Sequence, residues 1–267
     1  MTKLERIELR AAFNEALQGW DVVETGRASV RAAAHELRLM VEPGPGYSNA
    51  QISDYGFGGR MPYQLRWRPP LVLTVTARAS APGRDLRGTA GFGFWNHPFS
   101  PDARRLRLPR AIWFFFGAPP SNMALAHGVP GSGWKAATID AARPRAWALA
   151  PLAPAAVLLM RVPRLYNLLW PRIQQALCIS EAVLSEALLA ERHTYRIDWR
   201  VDEAFFSVDD AVVLHTPFAP RGPAGFVAWI DTQYAIVTPQ GRFGFGITSL
   251  ERPQALAIER LSIEPRG

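Results

Sequence analysis

Residues 193–216 read HTYRIDWRVDEAFFSVDDAVVLHT. Ile197, Trp199 and Val201 alternate there with Arg196, Asp198 and Arg200, the period of two that gives a strand one apolar and one polar face. Phe205 to Val208 continues in the same manner and meets a turn pair, Asp209-Asp210. Val212 to Thr216 then returns. The stretch therefore predicts antiparallel strands joined by tight turns.

The pattern extends outward from it. In LVLTVTARA (71–79), Leu71, Leu73, Val75 and Ala77 face one way, while Val72, Thr74, Thr76 and Arg78 face the other. FVAWIDTQY (226–234) and LAIERLSIE (256–264) repeat the alternation. Turn signals at Pro43–Gly46, Pro82-Gly83, Arg221–Pro223 and Gln240-Gly241 separate the runs. Many short strands with regular turns predict an all-β sandwich or barrel.

Two segments depart from period two. Leu4, Ile7, Ala11 and Leu17 share a stripe, which predicts a short N-terminal helix over 2–18 that ends at Gly19. Residues 151–192 read as a helical hairpin. Leu165, Leu168, Leu169, Ile173, Ala176 and Leu177 follow helical spacing, and Ser180 is the expected N-cap of a second helix. About 40 residues are too few for a separate domain, so the expectation is one domain over 1–267 with this hairpin inserted as a lid. Such a lid would bury its stripe on the sheet and cover the aromatics from Trp113 to Phe116. The alternative is a helix lying on a membrane. It is set aside because Gln174, Gln175, Glu181 and Glu186 dilute the charge of Arg161, Arg164 and Arg172.

Composition excludes several classes. One cysteine, Cys178, cannot form an internal disulfide or a cysteine-based cluster. The start, MTKLERIELRAAFNEALQGW, is charged throughout with no apolar core, so it does not read as a signal peptide and a cytoplasmic location is expected. The net charge is +7, yet the cations are almost all arginine and scattered outside Arg104, Arg105, Arg107 and Arg110. No nucleic-acid motif accompanies them, so no nucleic-acid partner is expected. Membrane contact is likewise not expected. The oligomeric state is open.

His193–Trp199 followed by Phe205–Asp210 resembles the H-x-Y-x-I-x-W … F-x-V-D-G hairpin of the concanavalin-like, laminarinase-type glycoside hydrolases. Val75–Ser80 and Thr89–Trp95 resemble that family's "ARIK … G-x-G-x-W" strands, taken as a pair, and LAIERLSIE resembles its last strand. The resemblance implies a concanavalin-like antiparallel β-sandwich (jelly roll) with a concave cleft. Retaining glycosidases need two carboxylates about 5 Å apart, and the family supplies them from one E-x-D-x-E strand. The matching strand here is Arg110–Gly117, with Ala111, Trp113 and Phe115 in those places, and no Asp or Glu occurs from Ala103 to Ile139. The family's hydrolysis is therefore not expected. Many relatives hold a structural calcium ion, but no motif here asks for one. Isolated histidines without HExxH spacing give no metal site and no cofactor site.

Several residues are candidates for the cleft. Trp95, Asn96 and His97 follow the Gly91/Gly93 strand, with His97 a possible acid or base. Asn122, Trp134 and Lys135 flank a Gly/Pro-rich loop, and a desolvated Lys135 suits a base or an anion. Trp229, Asp231 and Gln233 share a face, with Tyr234 beside them. That set suits sugar stacking or a carboxylate of raised pKa. Asn49, Gln51 and Ser53 share a face in an early polar strand. Two function classes stay open. One is a binding protein for a glycan or small molecule, with an aromatic cleft built around Trp95, Trp113, Trp134 and Trp229 and no hydrolysis. The other is a cofactor-independent lyase, isomerase or cyclase that uses Asp231, His97 or Lys135.

Overall fold

The alternation folds as two facing antiparallel sheets. In the computed structural model, which describes residues 7–9, 17, 19–33, 35–59, 62–97 and 107–266, one sheet runs β13 (Ala211–Thr216), β12 (Ala204–Val208), β11 (His193–Trp199), β6 (Leu71–Ala79), β17 (Gln254–Pro265), β4 (Leu37–Val41), β3 (Ala28–Ala32). The other runs β10 (Ser180–Leu184), β9 (Gly133–Asp140), β8 (Arg110–Gly117), β7 (Thr89–Trp95), β14 (Gly225–Asp231), β5 (Asn49–Ser53), β2 (Asp21–Thr25). A separate hairpin joins β15 (Gln233–Val237) to β16 (Phe243–Ile247).

The core lies between the sheets. Leu71, Leu73, Val75 and Ala77 of β6 meet Phe92 and Phe94 of β7 and Ile112, Phe114 and Phe116 of β8. Tyr195, Ile197 and Trp199 complete the layer from β11. Phe114 packs against Trp134, Tyr195 and Phe206 at centroid distances of 5.1–5.9 Å. Each such ring contributes about 1.5–3 kcal/mol by leaving water. The β12–β13 hairpin turns at Asp209 (φ 48°) and Asp210 (φ 69°), the left-handed pair that a two-residue turn requires.

Several expectations are corrected here. Ile7–Leu9 is a short strand, β1, paired with Leu261–Ile263, and not part of a helix; residues 2–6, 10–16 and 18 lie outside the described residues. Val201 falls just beyond β11 and is exposed. β6 and β7 do not pair: β6 lies between β11 and β17, and β7 between β8 and β14.

The helical segment also differs. It comprises α1 (Pro144–Leu149), α2 (Ala153–Leu159) and α3 (Pro163–Ala176). Ser180 starts the edge strand β10 on β9 rather than a second helix. SEAVL satisfies both periods, and the open edge of β9 decides between them. Trp170 and Met160 pack with Ala126 and Ile179, beside Tyr166, Leu169 and Ile173 of the helical segment and beside Leu125 and Ile139, which line the concave side.

Candidate functional site

Four cross-strand rows form the floor of the concave sheet, set by its register. Asn49, Asp231 and Thr89 lie side by side. The next row is Gln51, Trp229, Gly91, Phe115 and Lys135. Then come Ser53, Val227, Gly93, Trp113 and Ala137, and finally Gly225, Trp95, Ala111 and Ile139. Above these rows is a cavity of about 640 Å³, a size usual for small-molecule sites.

The two glycines of the second and third rows make the aromatic floor possible. A Cβ on Gly91 would lie 2.9 Å from the Trp229 ring, and one on Gly93 (φ 149°) would lie 2.6 Å from Trp113 Cβ. With no side chain there, the indoles settle over β7. Trp113 sits 5.5 Å from each of Trp95, Phe115 and Trp229. The result is a continuous platform of four rings. The walls come from Phe57 and His97 on one side and from Met123, Leu125, Phe243 and Phe245 on the other.

Polar groups gather at the first row. Asp231 is buried, and its Oδ1 accepts from Thr89 N (3.1 Å), Thr89 Oγ1 (2.8 Å) and Gln233 N (3.1 Å). Its Oδ2 faces the Tyr47 hydroxyl at 3.5 Å. Burial raises the Asp231 pKa to about 7, against the opposing pull of these donors. The Tyr47 phenol is pushed up by burial and by the Asp231 charge. Trp229 Nε1 donates to Thr89 Oγ1 at 2.9 Å, which ties the platform to the carboxylate. Asn49 Oδ1 and Gln51 Nε2 are buried on the cavity wall and have no hydrogen-bond partner in the protein.

The other end of the cavity is more fully bonded. His97 (φ 41°) places Nδ1 3.3 Å from the Tyr55 hydroxyl, which also accepts from Trp95 Nε1 at 2.8 Å. Arg110 reaches the lining, but its guanidinium is held by Asp140 at 2.9 Å.

Eight of the sequence candidates meet at the cavity: Asn49, Gln51, Trp95, His97, Trp113, Trp229, Asp231 and Gln233. Six do not. Ser53 sits in the third floor row without lining the cavity. Trp134 points into the inter-sheet core, the parity opposite to its neighbour Lys135. Lys135 lies in the second floor row but is covered: its Nζ donates to Met123 O (3.2 Å) and to Glu181 Oε1 (3.3 Å). Burial lowers its pKa and raises that of Glu181. Asn96 is bonded within its loop, donating to Leu108 O and accepting from Arg110 N. Asn122 lines a separate notch on the far side of the hairpin. Tyr234 turns away from Gln233 and packs over Gly246.

Sequence reasoning missed Tyr47, Thr89, Phe115, Phe243 and Phe245 as lining residues. Thr89 and Phe115 were findable from the parity of Gly91 and Trp113. FGFGI over 243–247 carried a period-two aromatic signal.

No protein-family model matches the chain, and no curated protein matches it. Solved structures do. The Crh5 transglycosylase in complex with NAG aligns over 99% of this chain and 85% of its own, with 12% identity and a TM-score of 0.54. A native glycosidic hydrolase aligns over 100% and 99%, with 14% identity and a TM-score of 0.51. An endo-β-1,4-glucuronan lyase from the fungus Trichoderma reesei aligns over 99% and 96%, with 11% identity and a TM-score of 0.50.

The fold is thus a concanavalin-like jelly-roll sandwich, the architecture of these hydrolase and lyase structures. On this chain the β8 positions facing the cavity are Ala111, Trp113 and Phe115, and Asp231 is the one carboxylate among the described cavity-lining residues.

Proposed function

We propose that the concave cleft binds a glycan or a small molecule of mixed polarity and does not hydrolyse it. The observation that carries this reading is the pair Asn49 Oδ1 and Gln51 Nε2. One acceptor and one donor are buried on the cavity wall without protein partners. Leaving such atoms unpaired costs about 1–3 kcal/mol each, and a ligand hydroxyl or amide can accept from one and donate to the other. The platform of Trp95, Trp113, Phe115 and Trp229 offers its faces to a sugar ring or an apolar body. The glycan chemistry named for the transglycosylase with NAG and for the glucuronan lyase supports testing sugars first.

The test is tryptophan-fluorescence and calorimetric titration with N-acetylglucosamine and glucuronic acid oligomers, and with hydroxylated apolar compounds in parallel. Saturable binding that Gln51→Leu weakens supports the reading. Absence of binding across the panel, or unchanged affinity in Gln51→Leu, overturns it. Release of reducing sugar from β-glucans, lost on substitution of Asp231, would overturn the non-hydrolytic part.

One observation favours a second reading, acid–base catalysis on the bound molecule. Asp231, with a pKa near 7, exchanges protons at neutral pH, and its Oδ2 faces Tyr47 at the cavity. A bound compound that the protein isomerises or cleaves by elimination, and that Asp231→Asn binds without converting, would establish it.

A further inference from the structure

We propose that the helical segment and the tip of the β15–β16 hairpin form a docking surface for an anionic lipid bilayer. Single exposed apolar side chains are ordinary, but here they concentrate on two touching elements. Trp147, Leu152, Leu158 and Leu168 on the helical segment are 58–61% exposed, and Phe243 on the hairpin is 66% exposed. The elements meet where Gly241 abuts Val157 and Arg161 Nε donates to Gln240 O at 3.4 Å.

The charge on these elements has one sign. Between Ala141 and Ser180, and again between Thr232 and Leu250, there is no Asp or Glu, whereas Arg145, Arg161, Arg164, Arg172 and Arg242 fall within them; Arg143, also there, is taken up by Asp140 at 3.1 Å. The two glutamates that argued against a membrane in the sequence lie elsewhere. Glu181 is buried on β10 against Lys135, and Glu186 begins a 3-10 turn beyond it. Arg161 and Arg242 also line, with Thr238 and Asn122, a notch of about 470 Å³ between the two elements. Guanidinium groups so placed suit a lipid phosphate.

This charge selects the occupant. In a symmetric pair the patch would face itself and set arginines against arginines. An anionic bilayer complements the arginines and takes up the aromatic and leucine side chains, as interfacial helices do. Among the described residues no helix is long and apolar enough to cross a membrane, so contact is at the surface. Phe243 and Phe245 also belong to the cleft wall. Docking therefore sets the mouth of the cleft against the lipid.

The experiment is flotation of the full chain with phosphatidylcholine vesicles, with and without phosphatidylglycerol, at low and high salt. Expected are binding to the anionic vesicles, release by salt, and about tenfold weaker binding in Arg161→Gln/Arg242→Gln and in Leu158→Ser/Phe243→Ser. These exposed positions leave the fold intact, checked by unchanged thermal melts. Trp147 emission should shift to the blue on binding, a readout kept in the wild-type chain if one variant misfolds. No flotation with anionic vesicles overturns the proposal. So does a dimer in sedimentation that the Leu158→Ser/Phe243→Ser variant dissociates, or capture only by an acidic protein. Cleft titration with soluble ligands is read separately, so failure of docking and failure of the cleft reading are distinguishable.

Discussion

On β9, next to the edge strand β10 of the concave sheet, Lys135 lies buried with Glu181 and the Met123 carbonyl. Three strands away Asp231 on β14, and four strands away Asn49 and Gln51 on β5, are buried at the cavity. Both regions take polar groups out of water, but only the first closes its bonding internally. The lysine and glutamate neutralise each other beneath the 122–126 loop, and Ala126 N also donates to Glu181 at 2.8 Å. At the second region, Asn49 Oδ1 and Gln51 Nε2 end without partners. A buried polar group that is fully bonded supports architecture, whereas one left open toward a cavity is available to a ligand.

The largest expected effect breaks the first region. Lys135→Met leaves Glu181 buried and unpaired, and should cost about 3–5 kcal/mol of stability by urea denaturation. Lys135→Met/Glu181→Leu should recover most of it, because an apolar pair of similar volume needs no desolvation. Ligand affinity of the folded double variant should match wild type. Should affinity fall with the charge pair gone, Lys135 belongs to the binding site and the contrast fails.

Next in size is the platform. Trp229→Ala should weaken ligand binding by about 1–3 kcal/mol, the scale of a lost aromatic contact. Binding unchanged in calorimetry would place the ligand off the platform. Smaller still is Gln51→Leu, where stability and affinity should move in opposite directions. Removing an unpartnered Nε2 should leave stability unchanged or raise it by up to about 1 kcal/mol, while binding weakens. A parallel loss of both would show that Gln51 is structural.

The fold was legible because the core-forming strands are half buried. Leu71, Leu73, Val75 and Ala77, and Tyr195, Ile197 and Trp199, fall at every second position and meet the other sheet. Segments whose pattern fits both periods were misread. SEAVL satisfies helix and strand, and only the free edge of β9 resolves it. The cleft was legible where parity was applied, as for Trp229 and Asp231. It was lost where adjacent residues were both chosen, as for Trp134 and Lys135, which must point to opposite faces. The covering of Lys135 depends on Glu181, 46 residues away in sequence, and no local pattern encodes such a partner.

The finest test distinguishes the two regions by pH. The Asp231 pKa is raised in the fold to about 7 from an ordinary carboxylate value, chiefly by burial. The native state therefore holds a proton that the unfolded state has released between about pH 4 and about pH 7. The resulting stabilisation is complete below about pH 4 and is lost as pH rises to about 7. Across that window up to one proton is at stake, so stability should fall by about 1 kcal/mol per pH unit. Asp231→Asn keeps an oxygen to accept from Thr89 and Gln233 and has no proton to lose, so its stability should not follow this slope. The urea midpoint of wild type should drop relative to the variant from about pH 4 to about pH 7, then run parallel above. A ligand that donates to Asp231 Oδ2 should bind wild type more tightly as the carboxylate ionises, and Asp231→Asn should lose that rise. If wild type and variant keep a constant difference across the range, Asp231 stays ionised throughout, and the cavity is wetter at that end than its burial indicates.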